Sequence, residues 1–115
     1  MCRKSEQAVE WYNKAYRLEQ EGQSQLAEVY YLKSWSLFEQ AGGSHCLNAA
    51  NSLNALAFLR WSGKDYVGAL SSAKKSMKIM EAYGNAYPGA DADLIRSTAL
   101  ELTDQVSYEL MLASQ

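Results

Sequence analysis

One proline in 115 residues leaves this chain almost without forced helix breaks, and that proline, Pro88, lies in a segment, 85–89, that reads as a connection. Two cysteines, Cys2 and Cys46, are too few for a disulfide framework, and a reducing, cytoplasmic setting is the expectation. A single histidine, His45, excludes the paired Glu-x-x-His motifs of a di-iron bundle. Nor is there an excess of positive charge. Eleven Lys and Arg stand against 13 Asp and Glu, a net charge of -2, so no large field exists to capture phosphates and no nucleic-acid partner is expected. The one basic cluster, Lys74, Lys75 and Lys78, reads as a solvated helix face. No apolar run approaches membrane-spanning length, and Arg3, Lys4, Glu6 and Glu10 leave no apolar stretch after Met1 for a signal peptide. Glycine-rich phosphate loops, nucleophile elbows and dinucleotide motifs are missing, and no run alternates as a strand does. The chain is therefore expected to be non-catalytic, with no cofactor and no membrane partner.

What is present is helical periodicity. Hydrophobic residues make up 48% and charged residues 21%, an ordinary balance for one globular domain spanning residues 1–115. From Ser5 to Glu21, Ala8, Trp11, Tyr12, Ala15 and Leu18 recur at three- and four-residue spacing, and Gly22 ends the pattern. Ser24 is the expected N-cap of a second helix, Leu26 to Gln40, carrying Ala27, Tyr30 or Tyr31, Ser34, Leu37 and Phe38. Gly42 and Gly43 stop it. Ser44 is expected to cap a third helix, His45 to Ser62, and Asp65 a fourth running to Tyr83. A fifth spans Ala90 to Leu112, with Leu94, Ile95, Ala99, Leu102, Val106, Leu110 and Met111 as its apolar side.

The chain also repeats itself. A shift of 42 positions places Ala8 on Ala50 and Ala92, Ala15 on Ala57 and Ala99, Ala27 on Ala69, Ser34 on Ser76 and Gly42 on Gly84. Two helical hairpins, 8–41 and 50–83, are followed by one further helix, 90–112, which covers the apolar face the last hairpin would otherwise expose. Small residues at Ala57, Ala69 and Ala73 supply the room that close helix packing needs.

In each unit a bulky residue is followed by a small one four positions on, then a turn glycine, then an alanine: Trp11, Ala15, Gly22 and Ala27, and again Leu53, Ala57, Gly63 and Ala69. This pattern resembles the tetratricopeptide repeat (TPR), and its long period, with the segment SLNALAFLRWSGKDYVGAL, looks like the kinesin-light-chain subtype. Two features depart from the family: the period exceeds the usual length of about 34 residues, and Gly63 stands one position out of register with Gly22. The resemblance implies an all-α, right-handed stack of antiparallel hairpins with a capping helix, and a concave groove that binds a peptide or protein segment. Its groove positions fall on Val9, Tyr12, Asn13, Tyr16 and Gln20; on Asn51, Asn54, Ala55, Phe58 and Trp61; and on Asp93, Arg96, Ser97 and Leu100. Within that set, Tyr12, Asn13, Tyr16, Asn51, Asn54, Phe58, Trp61 and Arg96 are the expected contacts. Tyrosines offer broad contact area with a hydroxyl, and asparagine amides suit a partner's main chain. The family's basic clamp for a terminal carboxylate is poorly matched, since Arg96 has no lysines around it.

Other readings stay open. Packing is the default for Trp11, Trp35 and Phe38. His45 and Cys46 are adjacent soft ligands, but one pair does not make a zinc site. Asp91, Asp93, Glu101 and Asp104 suit the start of a helix, where the dipole favours acidic residues. With two full repeats, apolar residues such as Trp61, Leu110 and Met111 also permit a self-associating structural or regulatory subunit. A small-ligand or metal-binding domain is the third possibility.

Overall fold

The computed structural model describes residues 3–115 and contains five α-helices, with no strand among the described residues. They are α1 (Arg3–Gln20), α2 (Ser24–Ala41), α3 (His45–Ser62), α4 (Tyr66–Tyr83) and α5 (Ala90–Ala113). Cys2 lies outside the described residues. Each helix packs on the next; α3 also packs on α5, whereas it touches α1 only lightly. The molecule is 20 Å through its thinnest direction, the depth of two helix layers at about 10 Å each. The layers are α1, α3 and α5 on one side and α2 and α4 on the other.

Burial follows from this placement. Helix α3, packed on three sides, buries residues around much of its circumference, from Cys46 and Ala49 through Leu53, Asn54 and Leu56 to Leu59. The core between α1, α2 and α3 joins Ala15, Leu18, Ala27, Tyr31, Leu53, Leu56 and Leu59. A second cluster, Ala50, Met80, Ala92 and Ile95, joins α3, α4 and α5. Alanine at the crossing points lets the helices approach: Ala15, Ala57 and Ala99, each 42 residues apart, are all fully buried.

The internal repeat is visible in individual bonds. Ser34 Oγ donates to the Ala8 carbonyl at 2.9 Å, and 42 residues on Ser76 Oγ donates to the Ala50 carbonyl at 3.1 Å. Each of these bonds ties the second helix of a hairpin to the first. The hairpin turns recur in the same way. Gln23 N–H donates to the Leu18 carbonyl at 2.9 Å, and Asp65 N–H to the Arg60 carbonyl at 2.8 Å, the long bond of a left-handed helix ending. The residue in left-handed conformation is Gly22 (φ 81°) in the first turn and Lys64 (φ 66°) in the second. The backbone turn thus keeps the 42-residue period, and only the glycine has moved off it.

Several local expectations are corrected. Ser24 is the first helical residue rather than the cap; Gln23 holds that position and makes no side-chain cap bond. Asp65 does cap, its Oδ1 accepting from Gly68 N–H at 3.0 Å. Ser44 is itself in a helical conformation and makes no cap bond. The chain winds into α3 through three-residue bonds, His45 to Gly42, Cys46 to Gly43 and Leu47 to Ser44, so backbone carbonyls take the N–H groups a cap would have served. In α5 the buried residues are Ala92, Ile95, Ala99, Leu102 and Val106, while Leu94 and Met111 are exposed. That stripe faces α3 and α4, and Leu94 lies off it.

Candidate functional site

A groove of about 880 Å³ runs along the layer formed by α1, α3 and α5. Because α1 and α3 touch so lightly, the gap between them reaches down to α2, and Tyr31 of that helix lines it from below. Tyr31 is almost fully buried. Its hydroxyl donates to Glu19 Oε1 at 2.7 Å, and its ring meets Tyr12 edge to face at 5.4 Å between centroids. Burial, and then the bond to an already anionic carboxylate, push the Tyr31 phenol far above its ordinary range. Burial raises the Tyr12 phenol too, against a smaller lowering by its hydrogen bond with Asn51.

Helix α3 supplies Asn51, Asn54, Ala55, Phe58 and Trp61 to the groove, at spacings that keep them on one face. Phe58 and Trp61 contact edge to face at 5.8 Å. Phe58 is half exposed, as is Tyr16 across the gap. Asn54 is the buried member of this row, 4% exposed. Its Nδ2 donates to the Ile95 carbonyl at 3.0 Å, which fixes the orientation of the amide: reversing it would set Oδ1 against a carbonyl oxygen. Oδ1 then has no hydrogen-bond partner among the described residues.

The far wall belongs to α5, through Thr98, Glu101, Leu102, Asp104, Gln105 and Tyr108. Of the residues expected from the sequence, Tyr12, Tyr16, Gln20, Asn51, Asn54, Ala55, Phe58 and Trp61 line the groove. Asn13, although exposed, is outside the lining, as are Val9, Asp93, Ser97 and Leu100. Arg96 is outside as well. Its Nη1 lies 3.5 Å from Asp93 Oδ1, and its Nη2 lies over Gly84, 2.6 Å from where a Cβ at that position would stand. The glycine that closes α4 therefore makes the berth for Arg96, and the guanidinium is held at the loop. Glu101 and Asp104, read from sequence as dipole-favoured acids, stand well beyond the first turn of α5, where only Asp91 and Asp93 meet the dipole, and are wall residues instead; Tyr31 and Tyr108 were not expected in the groove. The signal for Tyr31 was the light contact between α1 and α3, which no residue spacing announces.

Charge is segregated. Glu19, Glu101 and Asp104 line the groove, and no Lys, Arg or His does. The lysines with ring partners lie elsewhere: Lys14 over Tyr30 at 4.6 Å, Lys33 over Trp11 at 5.2 Å and Lys75 over Trp35 at 5.4 Å. Arg60 pairs with Glu28 at 2.6 Å. His45 stacks on Phe38 at 6.5 Å, and burial, with Glu39 adding a smaller push, raises the neighbouring Cys46 thiol. Among the described residues no group of three or more His, Cys, Asp and Glu is arranged to hold a metal ion, and no helix is long and apolar enough to cross a membrane. Comparison with protein-family models, with curated proteins and with solved structures finds no match.

Proposed function

We propose that the chain is a non-catalytic protein-interaction module that binds a peptide or protein segment in the groove between α1, α3 and α5, with the two hairpins and capping helix stacked in the manner of a TPR array. The observation that carries this reading is Asn54: a buried amide in the groove lining whose donor is committed to Ile95 and whose acceptor is left unmatched. A buried polar atom without a partner costs about 1–3 kcal/mol, and a ligand N–H offsets that cost on binding. Exposed Tyr16 and Phe58 on the two sides of the groove supply aromatic contact area. The recurrence of the turn and serine bonds at 42 residues supports a stacked-repeat scaffold.

The test is a panning of the full chain against a phage-displayed random dodecapeptide library, followed by calorimetry on a selected peptide. Tyr16→Ala and Phe58→Ala are each expected to weaken binding by roughly 2 kcal/mol with the helical signal intact. Lys74→Ala, on the opposite layer, leaves it unchanged. Absence of any enriched peptide counts against the reading.

A second reading, self-association, is favoured by exposed Leu100, Met111 and Leu112 on α5. Light scattering across a hundredfold range of concentration separates the two, since only self-association raises the mean mass.

A further inference from the structure

Resting on the peptide-groove reading, we propose that the segment the groove takes is basic and that it is read through an arginine side chain. A cation placed in this groove meets three carboxylates, Glu19, Glu101 and Asp104, and no competing positive side chain. It also meets aromatic faces from Tyr16 and Tyr108, both about half exposed. Carboxylates and aromatic rings in one concave, partly desolvated surface attract the same ligand, because ring faces and anions both stabilise positive charge. Arginine fits better than lysine. Its guanidinium is planar, stacks on a ring while donating two parallel hydrogen bonds to a carboxylate, and sheds its weak hydration readily.

The acids alone would be only a solvated helix face, but Asn54 is an independent sign of a ligand. The atom it leaves unmatched is an acceptor, so the ligand group it takes is a donor, which a peptide main-chain N–H supplies. Donor-rich and cationic is a coherent description of one occupant. An acidic segment would instead bring carboxylates against carboxylates.

The experiment uses the full chain and peptides recovered from the dodecapeptide panning described above. The expected consensus carries arginine. Replacing that arginine by citrulline, which keeps shape and removes charge, is expected to weaken binding about tenfold or more, and lysine is expected to recover only part of the loss. On the protein, Glu101→Gln with Asp104→Asn is expected to weaken the arginine peptide at least about fivefold while leaving the citrulline peptide unchanged, a coupling that nonspecific unfolding does not produce. Main-chain N-methylation scanned along the peptide is expected to abolish binding at one position near the arginine, reporting the bond to Asn54 without altering a buried residue. An acidic or wholly apolar consensus, or equal binding of arginine and citrulline peptides, overturns the proposal while leaving the groove reading standing. No enrichment of any peptide removes both.

Discussion

Tyr31 joins two roles in one side chain, since it belongs to the core of the first hairpin and to the bottom of the groove. Its phenol is held neutral by burial and by donation to Glu19, so its ionisation is shifted well above the ordinary value of about 10. The unfolded chain loses this proton first as pH rises, so above pH ~10 the unfolded state binds fewer protons than the native state and stability falls with pH. Below that point the contribution is fully present. Tyr31→Phe is expected to cost about 1.5–3 kcal/mol at neutral pH, the range for a hydrogen bond to a charged group. Urea denaturation between pH 7 and 11 is expected to show a flatter decline for the variant, and an unchanged slope would contradict the role assigned to the phenol. Asn54 is sensitive in another sense. Asn54→Asp replaces the donor that serves the Ile95 carbonyl by an oxygen and buries an unpaired charge, at an expected cost of about 3 kcal/mol or more. Wild-type stability of that variant would mean that the amide is not held as described.

At the scale of the element, the hairpin turns show how a repeat can be kept in the backbone while its sequence drifts. Lys64 occupies the left-handed position that Gly22 fills in the first turn. Lys64→Gly is therefore expected to stabilise the chain by about 0.5–1 kcal/mol, and Gly22→Ala to destabilise it by at least about 1 kcal/mol, both read by thermal unfolding. Ala57 is fully buried and clusters with Ala73 and Leu102. Ala57→Leu overpacks that crossing and is expected to cost about 1–3 kcal/mol. The five helices and their order were legible because apolar spacing, glycine stops and the 42-residue recurrence all pointed the same way. Cap chemistry was less so. Asp65 acts as read, but Ser24 and Ser44 do not, because entry into each helix is settled by backbone bonds across the turn that a hydroxyl-bearing residue cannot reveal by its identity.

At the scale of the whole molecule, two layers of helices leave a concave face that is aromatic and acidic, and Lys33 and Lys75 lie over Trp11 and Trp35 outside its lining. The positions transferred from the TPR resemblance to α1 and α3 fall largely on that face, with Tyr12, Tyr16, Asn51, Asn54, Phe58 and Trp61 in the lining and Val9 and Asn13 outside it. Those transferred to α5 do not. Transferring the family's groove positions to α5 assumes that successive helices meet at the same rotation and depth, whereas α3 packs closely on α5 and only lightly on α1. The wall accordingly comes from Thr98 to Tyr108 instead of Asp93 to Leu100, and Arg96 stays beside Gly84. The distribution of the three tryptophans gives the central claim its most direct test. Trp61 lines the groove, while Trp11 and Trp35 lie outside its lining. In a nitrogen-15 NMR titration of the full chain with a peptide recovered by panning, the indole N–H signal of Trp61 is expected to shift, together with the side-chain amides of Asn51 and Asn54, while those of Trp11 and Trp35 stay in place. Shifts confined to the Trp11 and Trp35 signals, with Trp61 unmoved, would place binding outside the groove and contradict the account.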